Sequence, residues 1–267
     1  MILIEARNIS FSFGCNNVLY NISLCVSKGG VVFLLGPNGS GKTTLLKILL
    51  GLYLPTAGEV LFEGIPATRI LPKTLAKKVA YVPQIHRVTF AYSVIDVVLM
   101  GRTPHKTLFS RYSKADLDIA LGSLDKLSIL HLKDKPYTEI SGGERQLTLI
   151  ARALTQEARI FIMDEPVHGL DFGNQIRVLE HIAALSQDGL TFVNSTHFPD
   201  HAFWIADRVV MLKKGKIIQD GAPNGVITEE NIYELYNTKV NLLQTADNLK
   251  VCTPMAVKNK KILATSL

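Results

Sequence analysis

Hydrophobic and polar positions alternate along residues 2–13, the two-residue period of a strand with one buried face, and residues 18–26 read as a second strand. After a Gly29-Gly30 turn, residues 31–35 (VVFLL) form a short unbroken apolar run, which predicts a parallel strand buried on both faces. An apolar helix is predicted over 45–50, and short strands over 60–63 and 79–82. From about 84 to 153 the period becomes helical, with helices predicted at 93–100, 115–127 and 144–154, so this stretch reads as a helical insertion. Strand character returns at 159–163, 191–194 and 208–212, with helices at 175–186 and 228–236. Alternating strands and helices predict a mainly parallel sheet covered on both faces. Beyond about 240 the periodicity fades.

Composition narrows this picture. The 267 residues are 47% hydrophobic and 19% charged, a globular balance with enough apolar side chain for a large core. Cys15, Cys25 and Cys252 match no zinc or redox spacing and read as reduced thiols. The N-terminal MILIEARNIS lacks the basic and apolar regions of a signal peptide. The longest apolar stretch, residues 45–54, is broken by Lys47 and Gly51 and is too short to span a bilayer, so a membrane role needs a separate partner. The net charge of +6 permits contact with anionic surfaces, but the basic residues are scattered except at 213–216 and 258–261. Solvated surface is therefore expected rather than a nucleic-acid interface.

The chemistry begins at Gly36-Pro37-Asn38-Gly39-Ser40-Gly41-Lys42-Thr43, which fits G-x-x-x-x-G-K-[ST] between a predicted strand and helix. Its glycines let backbone N–H groups curl around phosphates, Lys42 is expected to reach the β- and γ-phosphates, and the Thr43 hydroxyl to ligate Mg²⁺. Thr44 is placed for the α-phosphate. In RIFIMDEP four apolar residues lead to Asp164 and Glu165 at a strand's C-terminal end, where open α/β sheets bind ligands. Asp164 suits a Mg²⁺ held through water, and Glu165 suits polarisation of an attacking water. His197 ends the strand in FVNSTH, where it can face a γ-phosphate. Gln84 ends KKVAYVPQ and can touch Mg²⁺ or the water. The stretch ISGGERQ, 140–146, is a second place where bare N–H groups at a helix start suit an anion.

These motifs, in this order, resemble the ATP-binding-cassette ATPases: Walker A at 36–44, the Q-loop at Gln84, the signature at 141–146, Walker B at 160–164 with Glu165, the D-loop at 167–171 and the switch His197. The likeness covers about residues 1–225. It implies a P-loop cassette fold, α/β, with a mainly parallel core, an antiparallel β subdomain and a helical insertion at about 85–155, within a domain spanning 1–240. A tail, 241–267, would follow. It also implies ATP and Mg²⁺ as ligands and a head-to-tail pair of chains sandwiching two nucleotides. Ser141, Gly142 and Gly143 of one copy would then contact the γ-phosphate held by Lys42 of the other, which accounts for a second anion site. Asp171, kept in the D-loop, would be among the residues that bind the nucleotide, and Phe13 would stack on adenine.

Three features depart from or refine the family pattern. Ile140 and Glu144 stand where Leu and Gln are usual, and Val167, His168 and Gly169 stand where Thr, Ser and Ala are frequent, which puts coupling between the two sites in doubt but not ATP binding. The segment FAYSVIDVVLMGRTPH, 90–105, resembles importers of iron–siderophore, haem, vitamin B12 and molybdate or tungstate. Its Val94, Ile95, Val97, Val98, Leu99 and Met100 exceed what one helix face needs, so some are expected to line a groove for a permease helix. The resemblance therefore implies an ATPase subunit on the cytoplasmic face of a prokaryotic membrane, working with permeases and an extracytoplasmic binding protein, and without nucleic acid. The rival reading is a soluble cassette without transport, such as an iron–sulfur assembly ATPase.

Overall fold

The computed structural model describes residues 1–84, 92–107, 110–245 and 249–255. In chain order the elements are β1 (Ile2–Phe13), β2 (Asn16–Ser27), β3 (Gly30–Leu35), α1 (Lys42–Leu49), β4 (Ala57–Phe62), β5 (Ile65–Pro66), α2 (Pro72–Leu75) and β6 (Val79–Val82). There follow α3 (Val94–Leu99), α4 (Lys114–Lys126), α5 (Gly142–Thr155), β7 (Ile160–Met163), α6 (Phe172–Gln187), β8 (Thr191–Thr196) and α7 (Pro199–Ile205). The chain closes with β9 (Arg208–Lys213), β10 (Lys216–Gly221), α8 (Pro223–Val226), α9 (Glu229–Tyr236), β11 (Val240–Gln244) and β12 (Lys250–Pro254). The architecture is the expected one: an antiparallel sheet ordered β2-β1-β4-β5, a sheet ordered β10-β9-β3-β8-β7-β6 whose strands are parallel except β10, and helices around it.

The unbroken apolar runs have a direct cause. Along β3, Val31, Phe33 and Leu35 enter a core shared with the helical segments, while Val32 and Leu34 enter a second core against α1 and the antiparallel sheet. Phe161 and Met163 of β7 divide from Ile160 and Ile162 in the same way. A strand covered on both faces cannot alternate. The central strands end together on one side, at Leu35, Met163 and Thr196, and the loops that leave those ends carry the candidate chemistry.

Helices α3, α4 and α5 pack on one another. Each opens with a capping box, Ser93 with Asp96, Ser113 with Asp116 and Ser141 with Glu144, in which the serine and the acid satisfy each other's backbone N–H. Their shared interior takes up most of the apolar run at 94–100. Val94, Val97, Val98 and Leu99 are buried and Ile95 packs partly against them, so Met100 is the residue of that run left to solvent. Residues 90 and 91 of the same segment lie outside the described residues.

A buried ion cluster fastens this unit. Arg102, 7% exposed, donates from Nε to Asp116 Oδ1 at 3.0 Å and from Nη1 to Glu157 Oε2 at 2.5 Å and Thr155 O at 2.9 Å. Lys106 also pairs with Asp116. Hydrogen bonds from Lys106, then Ser113 and Arg102, hold the Asp116 carboxyl well below the usual carboxylate range. Arg102→Ala removes one donor from the Asp116 carboxylate, which keeps Lys106 and Ser113, and takes the Arg102 donor from the Thr155 carbonyl, so a loss of about 1–3 kcal/mol is expected in denaturant unfolding. The folded-state pKa of Asp116 is depressed, so its contribution is complete above the unfolded value of 3.8 and disappears as pH falls below it. Acid titration of unfolding checks the sign.

The sequence showed no element after 240, but β11 and β12 pair antiparallel, Val240 opposite Pro254 and Gln244 opposite Lys250. It packs on α7 and α9, and Cys252 N donates to Asp200 Oδ1 at 2.8 Å. The basic stretch 258–261 lies outside the described residues.

Candidate functional site

The loop from Gly36 to Gly41 joins β3 to α1 and is held tightly by its surroundings. A Cβ on Gly36 would stand 2.2 Å from Leu212 O, and one on Gly41, whose φ is +103°, would stand 2.7 Å from Leu19 Cδ2. Gly215 N donates to Ser40 O, and Gly215 O accepts from Tyr20 N, so the β9–β10 turn clamps the loop to β2. Only glycine meets those contacts and that left-handed backbone together. The first turn of α1 leaves amide N–H groups facing the loop without intrahelical acceptors. Lys42, 5% exposed, donates from Nζ to Gly36 O at 2.7 Å and Pro37 O at 3.1 Å. Burial lowers its pKa, and the neighbouring Glu165 and Asp164 oppose that effect.

Walker B runs into the same space. Asp164 is buried, its N–H donates to Val82 O, and its Oδ1 accepts from Ser195 Oγ at 2.7 Å. Ser195 Oγ also accepts from Glu165 N at 2.8 Å, so one hydroxyl registers both acids. With its backbone held on both sides, Glu165 adopts φ +47°, a left-handed value that costs a non-glycine residue about 1 kcal/mol or more. Its carboxylate accepts from Gln84 Nε2 at 3.0 Å, lies 3.2 Å from His197 Nδ1 and 3.7 Å from Lys42 Nζ, and meets His168 Nδ1 at 3.4 Å. Gln84, Lys42, Asp164, Glu165 and His197, separated by up to 155 positions in the chain, thus converge beyond the ends of the parallel strands.

The residues fit a magnesium nucleotide. Ser40 Oγ is buried with no hydrogen-bond partner among the described residues, and the buried Asp164 carboxylate is held through Oδ1 by Ser195. Thr43 lies exposed at the helix start with Thr44 half-buried beside it, and Asn38 and Gly39 are exposed. Phe13, 52% exposed at the end of β1, makes edge contacts with Phe11 and Tyr53, whose rings stack at 5.5 Å, and Phe11 is buried. Phe13 is thus an open aromatic face on a packed base, next to the β2 segment that touches Gly41.

Ser141, Gly142 and Gly143 form the N-terminus of α5, and α5 is not part of the convergence around Lys42. Glu144 Oε2 accepts from Ser141 N at 2.7 Å, and that hydrogen bond is the main reason its pKa lies below the ordinary value. Glu144 therefore performs a capping role that a Gln could also perform. A Cβ on Gly143 would meet Asn174 Cγ at 2.5 Å, whereas one on Gly142 has only Leu170 Cδ2 at 3.6 Å. Asp171 caps α6, accepting from Asn174 N at 2.9 Å. The D-loop and the signature are thus packed together within one chain.

Sequence reasoning missed four supports. Ser195 is one, although it sits in the quoted FVNSTH. His168 was noticed only as a departure, yet the hydrogen bond from His168 N to Glu165 O folds its ring back over that carboxylate. Tyr236 donates its hydroxyl to His197 O at 2.9 Å, and burial pushes its pKa well up. His201, whose pKa burial lowers to about 4, contacts Thr196 Oγ1 through Nδ1 and belongs to a ladder of rings. In that ladder His197 lies 4.1 Å from Phe198, Phe198 5.0 Å from His201 and His201 5.6 Å from Trp204.

Residues 19–168 match the family model described as ABC transporter. An uncharacterised ABC transporter ATP-binding protein of Haemophilus influenzae is 40% identical, covering 91% of this chain and 92% of its own. The molybdate import ATP-binding protein MolC of the same organism is 34% identical over 88% of each chain. Among solved structures, an inward-facing metal-chelate type ABC transporter superposes with a TM-score of 0.86 at 31% identity, covering 97% of this chain and 99% of its own.

Proposed function

The chain belongs to the ABC transporter family as an ATP-binding, ATP-hydrolysing subunit, and from that premise we propose that it powers a prokaryotic importer of molybdate or a metal chelate. Family members of this kind work as dimers with membrane permeases. No helix among the described residues is long and apolar enough to cross a membrane, and in this reading the permease is a separate chain. Delivery by an extracytoplasmic binding protein and a position on the cytoplasmic face of the membrane complete the proposal. Its cargo rests on MolC and on the metal-chelate transporter, to which this chain is similar.

The observation that carries the catalytic part is the Glu165 carboxylate, held by Gln84 and His197 3.7 Å from the Lys42 ammonium. In this reading the loop 36–44 holds the phosphates, and Thr43, Asp164 and Gln84 hold Mg²⁺, which would offset charge on the phosphate oxygens. Glu165 takes a proton from the attacking water. His197 orients Glu165 and meets the γ-phosphate, Lys42 balances charge there, and Phe13 stacks on adenine. Ser141, Gly142 and Gly143 present N–H groups to the nucleotide of the opposite copy, and Asp171 lies at that seam.

Affinity purification of the tagged chain from its native membranes tests the transport reading. The expected result is recovery with a multi-span permease and an ATPase rate that rises when the two are reconstituted in lipid. Recovery instead with a soluble assembly scaffold and no permease would replace importer with the non-transport alternative.

A further inference from the structure

Two imidazoles and a carboxylate meet where a magnesium nucleotide needs only oxygen ligands. Ligand atoms of Glu165, His168 and His197 all lie within 4.8 Å of one another. Glu165 Oε1 is 3.2 Å from His197 Nδ1, and Oε2 is 3.4 Å from His168 Nδ1. Ligands about 2.1 Å from a tetrahedral centre are separated by edges of about 3.4 Å, so each imidazole already stands at coordination spacing from one oxygen of the carboxylate between them. Two imidazole nitrogens with a carboxylate suit zinc, cobalt or ferrous iron, whereas Mg²⁺ demands oxygen.

We propose that Glu165, His168 and His197 bind a first-row transition-metal dication and that its binding stops ATP hydrolysis. The second half rests on the catalytic reading of Glu165 given above; the first half does not.

The ligands are held before any metal arrives. The Glu165 backbone is fixed by Ser195 and by the turn to His168, and the His197 carbonyl is fixed by the Tyr236 hydroxyl. Little ordering remains, which favours binding. The cation has a route in, because the His168 side chain is 49% exposed and that of His197 is 25% exposed. Lys42 is the opposing charge, 3.7 Å from Oε1, but its ammonium is bound to the Gly36 and Pro37 carbonyls. The metal therefore takes the side that faces His168. Gln84 now donates from Nε2 to Oε2. A half-turn of its amide offers the oxygen instead, a fourth ligand.

His168, the ligand open to solvent, occupies the position where serine is frequent in the family. A metal there takes the electron pair that Glu165 needs for the water proton. Hydrolysis then slows as the free cytoplasmic metal rises, which is a brake suited to a carrier of metal complexes.

Nucleotide-free wild-type protein would be titrated with Co²⁺ while visible absorption is recorded, and then challenged with Zn²⁺. One saturable Co²⁺ per chain with four- or five-coordinate bands is expected, displaced by Zn²⁺ and at least tenfold weaker in both His168→Ser and Glu165→Gln. Absence of such bands, or affinity unchanged in both variants, overturns the site. In ATPase assays with excess Mg²⁺ and ATP, half-inhibition by Zn²⁺ should need at least tenfold more metal in His168→Ser, each protein judged against its own metal-free rate. Equal sensitivity overturns the brake. A wild type that hydrolyses no ATP without Zn²⁺ even when reconstituted with its permease refutes the catalytic reading, while the Co²⁺ titration still decides the site.

Discussion

Glu165→Gln is expected to lower the ATPase rate by about 10²- to 10⁴-fold, the range for loss of a positioned base, while ATP stays bound and two chains elute together. The amide keeps the size of the carboxylate and an oxygen for the Gln84 donor, which now lies at 3.0 Å. It cannot accept a proton from water. It also removes the negative charge 3.7 Å from Lys42, so the ammonium keeps its attraction for phosphate without a rival. Binding should therefore hold or tighten as turnover is lost. Single-turnover hydrolysis and size-exclusion chromatography with Mg²⁺ and ATP read both effects. Wild-type turnover in this variant would require a different base.

Lys42→Ala is expected to act earlier, weakening ATP binding by at least about tenfold in equilibrium dialysis and removing turnover. The lost group is a buried ammonium in a loop otherwise built of backbone dipoles, and a charge-assisted contact to phosphate contributes about 1.5–3 kcal/mol. A mixing experiment extends the test to the second anion site. Gly142→Asp has space in its own chain, with only Leu170 Cδ2 within 4 Å, and puts a carboxylate where the partner's phosphate would lie. Each variant alone should be inactive. A mixed pair contains one site built from an intact Walker A and an intact signature, so mixing the two should restore turnover. No recovery after subunit exchange would place both anion sites on one nucleotide in one chain.

The parts of this molecule that could be read in one dimension are those whose physics is local. The loop 36–44 is contiguous, and each of its residues answers to one turn and one helix start. The runs 31–35 and 160–163 were legible because burial on both faces leaves no polar position. The starts of α3, α4 and α5 lie in Ser-x-x-Asp or Ser-x-x-Glu, a reciprocal cap visible as letters. Other features have no local trace. The paired β11 and β12 have no clean buried face, since past Val240 every residue of the two strands is half-buried or exposed, and the adjacent Leu242 and Leu243 break any alternation. Tyr236 reaches a backbone carbonyl 39 positions away, and backbone carbonyls leave no signature. The apolar excess at 94–99 looked like surface chemistry because the sequence does not show that α4 and α5 cover it. His168 stood out as an odd letter, but its place over Glu165 emerged only from the fold.

The ring ladder that begins at His197 ends on the only tryptophan in the chain. Trp204 has no other indole to mask it, and it also makes an edge contact with Phe172 next to Asp171, with centroids 6.5 Å apart. Its intrinsic fluorescence is therefore a built-in optical gauge with one arm on the switch histidine and the other on the D-loop. A shift of either arm would alter the rings around the indole, so movement of these two segments could be followed in the ultraviolet without attaching a dye.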